Sequence, residues 1–241
     1  MRLDVALVAR GLARSRAQAR QLIDGGRVRL DGVGNPKPAT LIRPDDRLEV
    51  ESDPYVSRAA HKLLDALDRS GVVVPTRVLD AGASTGGFTQ VVLSRGAQVV
   101  YAVDVGHGQL APELRADLRV VVEEGLNLRD LTLAHVDDRP VDLVVADVSF
   151  ISLKLILGPL FSVLSAHGVA LVLVKPQFEL GRARLDKHGV VVADSDRAQA
   201  VSDVVAYASD LGWELEWSHE SAVPGEKGNR EVFCLFRRSL S

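Results

Sequence analysis

The sequence predicts a doubly wound α/β fold over most of the chain, a mostly parallel sheet closed by an antiparallel edge strand, with a small α+β module ahead of it. Three observations carry that expectation. β-Prone runs at 77–80, 98–104, 120–123, 141–147 and 169–174 alternate with helix-patterned segments near 86–95, 152–164 and 194–211, as βαβ units do. The first of those runs ends in a glycine-rich turn that opens a helix. The last two runs, 213–218 and 231–236, follow one another with no helix between them and so are free to pair antiparallel.

Ahead of that alternation, Leu3, Leu7 and Val8 form an apolar helix stripe that Gly11 ends, and Ser15 caps a second run whose Ala19, Leu22 and Ile23 recur at helical spacing. Gly25-Gly26 breaks that helix, and short β-prone pieces follow at 28–30 and 48–50 around a stretch rich in Gly, Pro and Asn. Residues 1–52 are therefore expected to form one module, 53–56 a linker, and 57–241 the larger domain, whose first helix is capped by Ser57 and buries Ala60, Leu63, Leu64 and Leu67. Charge is unevenly divided: residues 1–52 hold ten Arg and Lys against seven Asp and Glu in a chain of net charge −3. Arg14, Arg16 and Arg20 gather at the start of the second helix, where they make either a solvated face or a phosphate-binding one.

Composition narrows the class. With 46% apolar and 25% charged residues the chain is an ordinary globular one, neither disordered nor collagen-like. Its single cysteine, Cys234, can form neither an intramolecular disulfide nor a cysteine metal cluster, which suits a reducing, cytoplasmic compartment. The amino terminus has early arginines and no apolar signal core. Leu155 to Val174 is twenty residues without a formal charge, which is spanning length. Pro159, Ser162, Ser165, His167 and Gly168 interrupt it, however, and divide it into a helix, a Ser-Ala-His-Gly turn and a buried strand.

The turn after the first β-run reads Asp80-Ala81-Gly82-Ala83-Ser84-Thr85-Gly86-Gly87-Phe88 and admits three readings. As a dinucleotide fingerprint it has Ser84 in place of the second glycine, and Asp80 would set a carboxylate beside a pyrophosphate. As a Gly-x-Ser-x-Gly nucleophile elbow it fits literally, with Asp147 and His167 or His188 as partners. That reading needs a strand interior to the sheet, whereas this loop follows the first strand of its domain, and no HGGG-like oxyanion loop precedes it. The third reading is S-adenosylmethionine, whose ammonium and sulfonium suit an acidic strand end beside small residues. Asp80 would then serve the amino-acid end, and Asp104, closing the next strand, the ribose hydroxyls. That pair of acids favours the methyl donor.

Asp147 and Lys175 close two further apolar runs, at the strand ends where α/β sheets bind ligands. Successive strand ends of opposite charge point to a site rather than to solvated edges. Lys62 alone reads as a helix-surface lysine, and Glu231 alone as a turn carboxylate. The chain uses six lysines against 23 arginines, so a lysine marks a place where a tunable amine rather than mere positive charge is wanted.

Several stretches together resemble the TlyA family, known both as haemolysins and as ribosomal RNA 2′-O-methyltransferases. Residues 1 to about 52 resemble the RNA-binding module named after small-subunit ribosomal protein four, in Arg2-Leu3-Asp4, Gly11-Leu12-Ala13-Arg14-Ser15-Arg16 and Val28-Arg29-Leu30-Asp31-Gly32. The remainder resembles FtsJ-type methyltransferases in Ser57-Arg58-Ala59-Ala60-His61-Lys62-Leu63, the glycine loop, Asp147-Val148-Ser149-Phe150-Ile151-Ser152 and Leu173-Val174-Lys175-Pro176-Gln177-Phe178-Glu179. The resemblance implies a Rossmann-like class I methyltransferase fold, with Lys62, Asp147, Lys175 and Glu231 as its catalytic tetrad. It places the donor S-adenosylmethionine on Asp80, Gly82, Ser84, Gly86, Gly87, Phe88 and Asp104. It further implies a cytidine ribose of ribosomal RNA, free or in ribosomal subunits, as substrate. Arg14, Arg16 and Arg20 would hold the RNA, and neither metal nor membrane is required of what is expected to be a monomer. A membrane-active haemolysin and a non-catalytic assembly factor that binds ribosomal RNA are the alternatives.

Overall fold

The computed structural model describes residues 1–239 apart from Arg14, Asn35, Ser52 and Glu226, and falls into two compact units, Met1–Pro54 and Tyr55–Ser241. The first unit contains α1 (Leu3–Ala9), α2 (Arg16–Asp24), β1 (Val28–Leu30), β2 (Val33–Gly34) and β3 (Leu48–Val50). The Ser15 hydroxyl accepts the Gln18 amide at 3.2 Å, capping α2 as its sequence requires. Strand β2 is absent from the sequence expectation. It forms because Asp31 and Gly32, at φ of 51° and 79°, supply the two left-handed residues of a tight hairpin, which pairs β2 with β1. Leu3, Leu7, Ala19, Leu22, Ile23, Val28 and Ile42 are buried together between the helices and this sheet.

The second unit runs α3 (Ala59–Ser70), β4 (Arg77–Ala81), α4 (Gly87–Ser94), β5 (Val99–Asp104), α5 (Pro112–Arg115), β6 (Val120–Glu124) and β7 (Val141–Ala146). It continues with α6 (Leu157–Ser162), β8 (Leu164–Val174), α7 (Pro176–Glu179), α8 (Asp194–Asp210), β9 (Trp213–Glu220) and β10 (Val232–Arg238). These strands make one seven-stranded sheet in the order β6-β5-β4-β7-β8-β10-β9. β4 to β8 are parallel to one another, and β10 lies antiparallel between β8 and β9. The inner strands β4, β5, β7 and β8 are apolar on both faces because both faces are covered, whereas β9 at the edge is largely exposed. Leu79, Val144 and Ala146 enter one core cluster, whereas Val78, Leu143 and Val145 enter the other.

Two expectations need correction here. The Ser165 to Gly168 segment is not a turn ahead of a strand but an insertion within β8: Val141 pairs with Leu164 and Leu143 already with Val169. The Ser165 hydroxyl donates to the Asp142 carboxylate at 2.7 Å and fixes the detour. The uncharged stretch therefore divides between α6 and β8, and no helix among the described residues is long and apolar enough to cross a membrane. Secondly, β4 is interior to the sheet although it comes first in the domain. Its position cannot be the ground for rejecting a nucleophile elbow.

Candidate active site at the parallel strand ends

From β4 the chain winds outward through β5 and β6, then crosses back to β7 and β8 on the other side. The crevice where winding reverses, outside the carboxyl ends of β4 and β7, is where such sheets take ligands. Asp80 stands on β4, Asp104 ends β5, Asp147 follows β7 and Lys175 follows β8, so alternation alone carries four charges to one edge. Glu231 reaches the same edge by pairing. β10 runs antiparallel to β8 with Val232 opposite Val174, which sets the residue before β10 beside the residue after β8. Lys62 enters from α3.

The glycine loop is laced to β5. The backbone N–H of Ser84 donates to Asp104 Oδ2 at 2.8 Å, and that of Gly106 to Oδ1 at 2.7 Å. Gly82, at φ 84°, lies against the chain leaving β7, where a Cβ would stand 2.9 Å from the Asp147 carbonyl oxygen, so only glycine fits. Beside this loop lies a cavity of about 780 Å³, walled in part by Gly82, Ser84, Asp104, Gln109, Asn127 and Asp147. Two of the residues expected at the donor do not line either cavity of the site: Gly86, packed on Leu110 and Leu114, and Asp80. Asp80 is fully buried on β4, where Thr89 donates to its Oδ2 at 2.6 Å and Oδ1 has no hydrogen-bond partner. Loss of solvation raises its carboxyl to about 7 against the opposing Thr89 bonds, and the negative charges of Asp147 and Asp104 add to the rise.

A second cavity of about 490 Å³ adjoins the first and shares Gly82, Ser84, Asp147, Ser149 and Phe150 with it. Gly87 and Phe88 line this one. In it four charges alternate in a row. Lys175 Nζ is 2.6 Å from Asp147 Oδ1, Asp147 Oδ2 is 3.9 Å from Lys62 Nζ, and Lys62 Nζ is 2.6 Å from Glu231 Oε2. The side chains of Lys62 and Glu231 are only 6% and 2% exposed. With every charge matched inside a desolvated cleft, removing any one member of the row strands its neighbour.

Three polar groups that the sequence reading did not single out belong to this constellation. Lys175 Nζ donates to Ser149 Oγ at 2.9 Å, Gln177 Nε2 donates to Glu231 Oε1 at 3.2 Å, and Asn127 stands on the wall of the larger cavity. Ser149 and Gln177 sit inside motif segments, and Asn127 follows a strand end, so position was a signal for each. Glu179 joins the two motif segments, accepting the Ser152 hydroxyl at 2.5 Å and the Leu153 amide at 2.8 Å. The hydrolase reading fails on geometry. Ser84 Oγ is bonded to Gln109 and Asp147 to lysines, and neither His167 nor His188 lines either cavity.

In the first unit, Arg16 and Arg20 project from α2 beside the buried Asp4, and Arg2, not among the expected RNA ligands, joins them. Arg14 lies outside the described residues.

Residues 55–238 match the FtsJ-like methyltransferase family, and residues 1–48 match the S4 domain. The chain is 49% identical to a Mycobacterium tuberculosis protein named 16S/23S rRNA (cytidine-2′-O)-methyltransferase TlyA, over 98% of this chain and 89% of that one. The chain belongs to the TlyA family of FtsJ-like methyltransferases. Hemolysin A of Brachyspira hyodysenteriae is 38% identical over 98% of this chain and 99% of its own length. A solved structure of a Streptococcus thermophilus protein named as a hemolysin superposes with a TM-score of 0.78 at 37% identity, covering 100% of this chain and 89% of that one. Relatives matching nearly the whole of this chain thus carry both names, and in the chain itself an S4 domain precedes an FtsJ-like methyltransferase domain in sequence, as the sequence motifs led one to expect.

Proposed function

We propose that this protein transfers the methyl group of S-adenosylmethionine to the ribose 2′-hydroxyl of a cytidine in ribosomal RNA, free or within a ribosomal subunit. The observation that carries the proposal is the sharing of Asp147 between two adjoining cavities, one fitted to a donor and one holding the charge row. Residues of the larger cavity fit S-adenosylmethionine. The Asp104 carboxylate has lone pairs left for ribose hydroxyls beyond its two backbone bonds, the Gly82 backbone offers an approach no side chain obstructs, and acidic strand ends suit a cationic ligand. Gly82, Ser84 and Asp104 would hold it directly, with Gly86, Gly87 and Phe88 shaping the loop and Asp80 acting from beneath. When bound, the donor supplies an electrophilic methyl on a sulfonium.

What remains for the chain is to aim and activate a poor nucleophile. Lys175 meets the 2′-oxygen in the smaller cavity, either as an ammonium that stabilises developing alkoxide or, after giving up a proton, as the base that takes one. Asp147 and Ser149 fix its Nζ from two directions. Lys62 and Glu231 complete the row that positions the ribose, so that much of the rate enhancement comes from alignment. Residues 1–52 contribute RNA affinity through Arg14, Arg16 and Arg20, and residues 57–241 contribute the chemistry. The protein works in the cytoplasm as a monomer and without a membrane. Mass-spectrometric mapping of ribose methylation in ribosomal RNA from cells with and without the gene tests the proposal. One cytidine that loses its 2′-O-methyl group and regains it on incubation with purified protein and donor is the expected result. Unchanged methylation overturns it.

A further inference from the structure

Asp4 is the exception to how acidic residues sit in the first unit. It occupies the first turn of α1, where an acid is ordinarily solvated, yet its side chain is fully buried. Three guanidinium groups close over it. Arg2 Nε donates to Oδ1 at 3.1 Å, Arg16 Nη2 to Oδ2 at 2.9 Å, and Arg20 Nε lies 3.4 Å from Oδ2. Arg16 holds the carboxyl down to about 2 with help from Arg2, against the effect of burial. Arg16 and Arg20 stand one turn apart on α2, so a single carboxylate from α1 reaches both, and Arg2 comes from the residue that α1 grows out of. The three arginine side chains remain about half exposed, at 46%, 55% and 54%. A guanidinium has five N–H donors, and each of these commits one to Asp4, leaving the rest for an outside partner.

We infer that Asp4 is a positioning residue for RNA: it fixes the guanidinium groups of Arg2, Arg16 and Arg20 as one preorganised receiver for the phosphodiester backbone. The inference rests on the reading that residues 1–52 bind RNA. Free arginine side chains lose rotamer freedom when they grip a phosphate, and here that loss is taken on folding instead. The assignment opposes simple electrostatics, under which an acid among arginines only weakens an anion site.

That opposition supplies the test, made on the full chain with a short labelled RNA duplex as probe. Asp4→Asn adds one unit of positive charge, so a charge-only surface would bind the duplex more tightly and with a steeper salt dependence. The positioning role predicts the reverse: affinity roughly fivefold weaker and a slope no steeper, because two or more long side chains must be ordered on binding. Arg16→Lys, which keeps the charge but loses the planar fork, is expected to weaken binding to a similar degree. Hydrogen exchange over residues 1–54 reports whether the unit stays folded, and if Asp4→Asn unfolds it the Arg16→Lys variant decides. Tighter or unchanged binding by Asp4→Asn, or full affinity in Arg16→Lys, overturns the inference. Should Arg16→Ala and Arg20→Ala also bind the duplex like the wild type, the RNA-binding reading itself falls. If those two weaken binding while Asp4→Asn does not, the reading stands and only the role of Asp4 is lost.

Discussion

The two units bury charge in opposite ways. In the cleft beyond β7 and β8, two lysines and two carboxylates match one another, and all four are largely withdrawn from solvent. In the first unit one buried carboxylate faces three arginines that stay half in water, so positive charge is left over and turned outward. A balanced, enclosed row holds its members still in a medium where electrostatics is strong, which suits chemistry. An unbalanced, half-open cluster has charge to spare for a polyanion, which suits binding. The same ion-pair vocabulary thus suits two different purposes, distinguished by exposure and by stoichiometry.

The contrast is most easily broken at Glu231. Glu231→Ala leaves Lys62 buried beside only a 3.9 Å contact to Asp147, and is expected to lower unfolding free energy by about 3 to 5 kcal/mol in denaturant titration. Arg16→Ala, by contrast, is expected to cost less than about 1 kcal/mol, since its guanidinium is half solvated. Equal losses would erase the distinction. Turnover separates the clusters next. Lys175→Ala is expected to keep donor and RNA binding while losing at least roughly a hundredfold in single-turnover methyl transfer. Lys175→Arg is not expected to restore it, and near wild-type transfer by that variant would eliminate the general base and leave electrostatic positioning.

The acids proposed for the donor sharpen the comparison with smaller effects. Asp104→Ala is expected to weaken S-adenosylmethionine binding by about 1 to 3 kcal/mol in calorimetry, as charge-assisted hydrogen bonds are lost. Binding at wild-type strength would remove Asp104 from the site. Asp80 is buried against the Thr89 hydroxyl, with the negative charges of Asp147 and Asp104 acting on it. Its native carboxyl titrates near 7 against 3.8 when unfolded, so between those values the folded state holds a proton that the unfolded state has released. Its contribution is therefore full below about pH 4 and lost as pH rises toward 7. Asp80→Asn is expected to flatten this decline, raising Tm more at pH 8 than at pH 4, and a parallel displacement at both pH values would refute the assignment.

The sequence made the strand ends legible because an apolar run closed by a charge is a local pattern, and Asp80, Asp104, Asp147 and Lys175 each have it. Lys62 and Glu231 have no such pattern. One is placed by how α3 packs and the other by the register of β10 on β8, and only family resemblance named them beforehand. Asp4 stands in a motif, but its part in the arginine cluster is not legible for the same reason: nothing in its spacing says that α2 will fold two arginines over it. The interior position of β4 was missed because order along the chain does not give order across a doubly wound sheet. The Asp31-Gly32 hairpin was within reach, since that dipeptide is a strong turn signal.

The placement of β10 also bears on how the protein is made. It threads between β8 and β9 and is the last strand of the sheet in chain order, so its pairing with β8 joins residues far apart in sequence. Pairings of that kind close long loops and are intrinsically slow to form. A nascent chain that has emerged only as far as β9 already has the donor-side strands but lacks the carboxylate that neutralises Lys62. The smaller cavity is therefore complete only once β10 has paired with β8, and its assembly is bound to the closing of the sheet.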